Sequence, residues 1–153
     1  MTLPRKPVLS LVLAAGLLGA GVAAAPAHAQ RSMLFSGTLA PEHGAPAHMQ
    51  GKVMALYYPG AHVLRYTVTW DGLTGPVTMA HLHGPALPGK DAPDAPDAPA
   101  MVTVHGPYKS PLSGSVMLSS ETERDLQDGR VYLNLHTKAY PGGEARAWLG
   151  KSE

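Results

Sequence analysis

Between Ala61 and Trp70 the chain reads AHVLRYTVTW, with Leu64, Tyr66, Val68 and Trp70 on one parity and Val63, Arg65, Thr67 and Thr69 on the other. Successive side chains of a strand point to opposite faces, so this pattern makes one apolar and one polar face. Such a strand is stable only when its apolar face is covered by a second layer. Comparable runs occur at residues 33–39, 49–58, 77–83, 101–105, 112–118, 130–137 and 143–149. The 17 glycines and 15 prolines lie mostly between these runs, where they punctuate the chain into short segments. Eight short strands so separated predict an all-β, antiparallel sandwich or barrel. Pro59–Gly60 reads as a tight hairpin turn between the second and third strands.

Two segments depart from the alternation. SSETERDLQDG (residues 119–129) has Ser120 with Glu123 three residues on, Leu126 as an inward residue and Gly129 as a stop. This capping-box pattern predicts one short helix between the sixth and seventh strands. DAPDAPDAP (residues 91–99) repeats one triplet three times. Proline fixes φ and removes a backbone donor, so the repeat reads as an extended, solvated spacer inserted between strands. The competing reading is that its aspartates lend negative potential, or ligands, to a nearby cation.

Residues 1–29 have the form of a secretory signal peptide. Arg5 and Lys6 precede a short Ala/Gly-rich apolar stretch, and APAHA ends at Ala29 with small residues at the cleavage positions. Cleavage before Gln30 leaves residues 30–153 as one domain's worth of chain. The expectation is an exported protein, periplasmic or secreted, with no membrane span after cleavage. Two of the twelve basic residues and none of the eleven acidic ones fall in the leader, so the rest is nearly neutral. That balance gives no basic face for a nucleic acid. The absence of cysteine rules out disulfides, thiolate nucleophiles and thiolate metal sites.

Seven histidines remain beyond the leader. His81 and His83 stand at i and i+2 of one strand and share a face, with Leu82 on the other. In VYLNLHT, Val131, Leu133 and Leu135 form the core face, leaving Tyr132, Asn134 and His136 opposite. His136 ends its strand much as His83 ends its own. If the two strands lie close, three imidazoles converge on one ion. His105, on the parity opposite Val102 and Val104, is a candidate fourth ligand, alongside water or an acid. Glu144 and Arg146 share a face on the last strand and, with Asn134, are candidates to orient the histidines from behind. A surface ion pair or structural hydrogen bonding to loop carbonyls would account for the same residues. His43, His48 and His62 read as surface residues. Met49, Met54, Met79, Met101 and Met117 are scattered over several strands and read as core filler rather than thioether ligands.

The segments AHLHGPA and VYLNLHTKAYPGGEAR, in this order and at this separation, resemble the CHRD domain, a module named for chordin and also found singly in exported bacterial proteins. FSGTLAPEHGAP is similar to that family's opening strand and Glu-Val-Pro-Pro turn, with Glu42 kept. The resemblance runs from about Phe35 to Leu149. It implies an immunoglobulin-like (Greek-key) β-sandwich of about eight strands in an extracytoplasmic setting, and no established reaction. His43-Gly44-Ala45-Pro46 departs from the family turn, Ala147 stands where a glycine is usual, and the Asp-Ala-Pro repeat has no family counterpart. Glu42 is expected to cap the opening turn by accepting backbone N–H bonds.

The functional expectation is therefore an exported binding module, rather than an enzyme, that takes a copper or zinc ion through a histidine cluster. Imidazole suits both ions. The alternatives are a small copper-dependent redox enzyme with superoxide dismutase-like chemistry and a metal-free adhesion or matrix-interaction domain. No nucleophile elbow, phosphate loop or paired carboxylates point to hydrolysis or phosphoryl transfer.

Overall fold

The computed structural model describes residues 31–88 and 97–152. The expected signal peptide and the first two Asp-Ala-Pro triplets lie outside the described residues. Among the described residues, ten strands make two five-stranded antiparallel sheets packed face to face. The first sheet has the order β10 (Gly150–Lys151), β1 (Met33–Thr38), β3 (Gln50–Tyr58), β4 (Val63–Asp71) and β7 (Leu112–Met117). The second has β2 (Ala40–Pro41), β9 (Ala145–Trp148), β8 (Tyr132–Thr137), β5 (Val77–His83) and β6 (Ala100–Thr103). Non-consecutive neighbours β4·β7 and β5·β8 are joined by connections that change sheets, as a Greek-key sandwich requires.

Alternation sets the core. Leu64, Tyr66 and Val68 of β4 are buried while Arg65 and Thr67 are exposed. Phe35, Val53, Ala55 and Tyr57 join them from the same sheet, facing Ala80, Leu82, Leu133, Leu135, Ala145 and Ala147 from the other. The two strands not anticipated, β2 and β10, arise because the first and last runs each change sheet at a buried leucine. Leu39 separates β1 from β2, and Leu149 separates β9 from β10. A strand of two residues is too short to show the alternation that marks the longer ones.

Three local expectations are corrected. Pro59–Gly60 does not make a tight hairpin turn: Pro59–Ala61 is a 3-10 turn, and His62 at φ 55° reverses the chain before β4. The helix α1 (Ser120–Gln127) is capped by Ser119, not Ser120. The Ser119 side chain accepts from the Thr122 amide at 3.1 Å, while Glu123 pairs with exposed His62 instead of closing a capping box. Leu126 does point inward, and Gly129 at φ 71° ends the helix. The methionines divide: Met49 is in the core and Met101 packs against it, but Met54, Met79 and Met117 are exposed.

Loss of an N-cap side chain costs ~1 kcal/mol, because an otherwise free amide of the first turn loses its acceptor. Ser119→Ala is expected to lower stability by about that amount in denaturant unfolding, and Ser120→Ala by a few tenths of a kcal/mol at most. Equal losses in both variants would contradict the cap assignment.

Candidate metal centre

The outer face of the second sheet is closed over β8. Strand β8 is buried on both sides: Leu133 and Leu135 face the core, and Tyr132, Asn134 and His136 lie under loops on the other face. Antiparallel pairing sets His81 opposite Asn134 and His83 opposite Tyr132. His136 pairs with Met79, which makes it the diagonal neighbour of His81. One slip of register would have sent His136 to the core side.

The three imidazoles meet. Ring centroids are 5.0 Å apart for His81 and His136, 5.5 Å for His81 and His83, and 6.0 Å for His83 and His136. One ring nitrogen from each lies within 4.8 Å of the others. His83 and His136 are buried, and His81 is partly exposed.

Hydrogen bonding orients the rings. His136 Nδ1 lies 3.0 Å from the Pro141 carbonyl, and His83 Nδ1 lies 2.6 Å from the Ala98 carbonyl. A carbonyl only accepts, so both Nδ1 atoms carry the proton and both Nε2 atoms present lone pairs. The His136 lone pair faces His81 Nδ1 at 3.1 Å. His83 Nε2 is buried and has no hydrogen-bond partner. Leaving such an atom unsatisfied costs ~1–3 kcal/mol.

These features fit a transition-metal ion. Backing an imidazole ligand by a carbonyl on its second nitrogen is the usual way a protein fixes such a ligand. Bonds of ~2.0–2.1 Å put two nitrogens on one zinc about 3 Å apart, close to the separation of His81 and His136. An ion would also occupy the orphaned lone pair of His83.

The remaining expected site residues lie elsewhere. His105 follows the end of β6, is exposed, and is not in the histidine group. Glu144 does not reach the histidines: it accepts from the Thr74 amide at 2.6 Å, the Thr74 hydroxyl at 2.7 Å and the Thr137 hydroxyl at 2.5 Å. Those bonds tie the β4–β5 loop to the end of β8. Arg146, also turned away from the rings, holds Glu42 Oε2 at 2.6 Å and Asp97 Oδ1 at 2.5 Å. Its guanidinium stands 4.1 Å over the Tyr132 ring. Asn134 donates to Asp97 Oδ2 at 3.1 Å. Glu42 is buried against Arg146 instead of capping its turn, and only its backbone carbonyl accepts from Ala45. Burial outweighs the Arg146 charge and raises the Glu42 carboxyl to about 7.

Two contributors went unrecognised in the sequence. Tyr132 stacks on His83 with centroids 5.3 Å apart, and its hydroxyl donates to Asp97 Oδ1 at 3.0 Å. Asp97 opens the last triplet, and that triplet is no solvated spacer. Ala98 N donates to the Tyr132 hydroxyl, and Ala98 O holds His83. The signal for Tyr132 was its parity with Asn134 and His136; nothing local distinguishes Asp97 from Asp91 and Asp94.

The family model described as the CHRD domain matches residues 35–149, a span that takes in the three histidines and the Glu42, Asp97 and Arg146 network. No curated protein and no solved structure matches the chain.

Burial, then the neighbouring His83, lower the pKa of His81 below the ordinary 6.5; burial is also the largest cause of the lowering at His136. The unfolded chain therefore binds these protons more readily than the folded one, so the rings destabilise the fold as pH drops from 6.5 through their folded pKa values. Glu42 acts with the opposite sign between its ordinary value of 4.5 and about 7, so ring titration followed by NMR separates the two. In metal-free protein, His81 and His136 are expected to titrate below 6.5, and a His136 midpoint at or above that value would contradict its burial.

Proposed function

The chain belongs to the CHRD-domain family, and we propose that it is an exported binding module that holds a copper or zinc ion through His81, His83 and His136. The family and the sandwich fold support a binding module. The observation that carries the metal reading is the buried, unpartnered Nε2 of His83, aimed at two further imidazoles and fixed from behind by the Ala98 carbonyl. Buried polar atoms are as a rule hydrogen-bonded, so an orphaned lone pair among three imidazoles favours a ligand there. When bound, the ion supplies a Lewis-acid centre or, for copper, a redox couple. The chain's own residues do the positioning. Pro141 and Ala98 keep the ring protons on Nδ1, Tyr132 packs flat on His83, and the surrounding burial disfavours imidazolium, which cannot ligate.

Export rests on residues 1–29, whose basic start, apolar stretch and small-residue cleavage site read as a leader. Among the described residues, no helix is long and apolar enough to cross a membrane. The mature domain is taken as residues 30–153, with the Asp-Ala-Pro repeat inserted at 91–99.

A second reading, a small copper-dependent redox enzyme, has one observation in its favour. His81 is the partly exposed member of the cluster, so the three-histidine set opens toward solvent on its side. An oxidase or superoxide assay on copper-loaded protein separates the two.

Elemental analysis of untagged protein tests the metal reading directly. One copper or zinc is expected to sit on the histidine cluster, and His83→Ala should empty that cluster. A ligand at one hundred times its Kd stabilises the native state by about 2.7 kcal/mol, so the ion should raise the wild-type melting temperature by several degrees and leave that of His83→Ala without this increment. An unchanged ion content in the folded His83→Ala variant would refute the assignment.

A further inference from the structure

His43 in the opening turn and Asp97 in the Asp-Ala-Pro repeat come together in space. His43 Nε2 lies 3.8 Å from Asp97 Oδ2. Glu42 completes the group, with one donor atom from each of the three within 4.8 Å of the others. The separation is too long for a hydrogen bond. It falls within the span of two ligands on one ion with bonds of ~2.0–2.2 Å.

The Glu42 and His43 donor atoms are unspent, while Asp97 Oδ2 accepts one hydrogen bond, from Asn134. Glu42 is 2% exposed, and its Oε1 has no hydrogen-bond partner, its Oε2 being turned to Arg146 Nε. His43 Nε2 is sealed from solvent and unpartnered, and so is Oδ1 of Asn134, a residue with no exposed surface. Asn134 Nδ2 is committed to Asp97, which fixes the amide orientation and leaves Oδ1 as the acceptor. A Cβ on Gly143 would collide with the Glu42 carboxylate and the Asn134 amide, so the glycine leaves room for these groups. Two carboxyl groups face one guanidinium, so a bound cation would take the place of the proton that burial favours on Glu42.

We propose that Glu42, His43 and Asp97 form a second cation site, separate from the three-histidine cluster, for a divalent ion that accepts mixed nitrogen and oxygen ligands, with Zn2+ as the representative. Imidazole with carboxylates is a zinc-type donor set, whereas a calcium site would be built from oxygens alone. The last Asp-Ala-Pro triplet then serves two centres. Its aspartate ligates the second ion while its alanine carbonyl orients His83 at the first.

The site is testable independently of the histidine cluster. His43 has φ 52°, a conformation that glycine adopts without strain, so His43→Gly removes the ligand and spares the turn. Equilibrium dialysis against Zn2+ with elemental analysis is run on wild type, His43→Gly, and His81→Ala/His83→Ala, with folding checked by circular dichroism. Wild type should take two ions and each variant one, and combining all three substitutions should leave none. If the histidine cluster binds nothing but the second site is real, wild type takes one ion, which is kept in His81→Ala/His83→Ala and lost in His43→Gly. Zinc stoichiometry and affinity unchanged by His43→Gly would overturn the proposal and leave a plain ion-pair network. Should the double histidine variant fail to fold, the change from wild type to His43→Gly decides the matter alone, read together with the wild-type His43 ring resonance. A ring shift on adding zinc that reports ligation supports the site, and an unmoved ring overturns it.

Discussion

The buried guanidinium of Arg146 holds the functional face together. It projects from the outer face of β9, pairs with Glu42 from the opening turn and Asp97 from the inserted loop, and covers the Tyr132 ring. One side chain thereby ties two loops, far apart in sequence, onto one sheet. Removing Arg146 would leave both carboxyl groups without their cation in a site where burial of an unpaired charge costs several kcal/mol. The closed outer face of β8 follows from this clamp, and so does the position of the Ala98 carbonyl that holds His83.

Closure has electrostatic consequences. Burial keeps His81 and His136 neutral to lower pH than free imidazole, which is the state that can ligate an ion. The same burial raises Glu42 even beside Arg146. The face therefore combines neutral nitrogens with a carboxylate network of limited charge. Glu144, by contrast, spends its carboxylate on Thr74 and Thr137 and acts as a fastening between the β4–β5 loop and β8.

Much of the framework was readable in advance where one residue's parity decided its side. The core face of β4, the shared face of His81 and His83, and the split of β8 into Leu133 and Leu135 against Asn134 and His136 all follow from a repeat of two. Features that needed partners were harder. The sheet changes at Leu39 and Leu149 went unseen because each lies at the very end of its apolar run, and the two-residue strands beyond carry no alternation. Ser119 rather than Ser120 caps the helix, and Glu123 pairs with His62, a partner distant in sequence. Arg146 and Asn134 were suspected of backing the histidines, but both turned to Asp97.

By itself the sequence determined a two-layer β fold and a pair of imidazoles on a common face, because strand geometry is local and alternation records it. Only the tertiary structure decided that His136 joins them, since one register of β5 on β8 sets it diagonal to His81 and another would have turned it inward. The third Asp-Ala-Pro triplet is the sharper case. Three identical tripeptides have the same local preferences, and only long-range ion pairing with Arg146 made Asp97 a fixed part of a site.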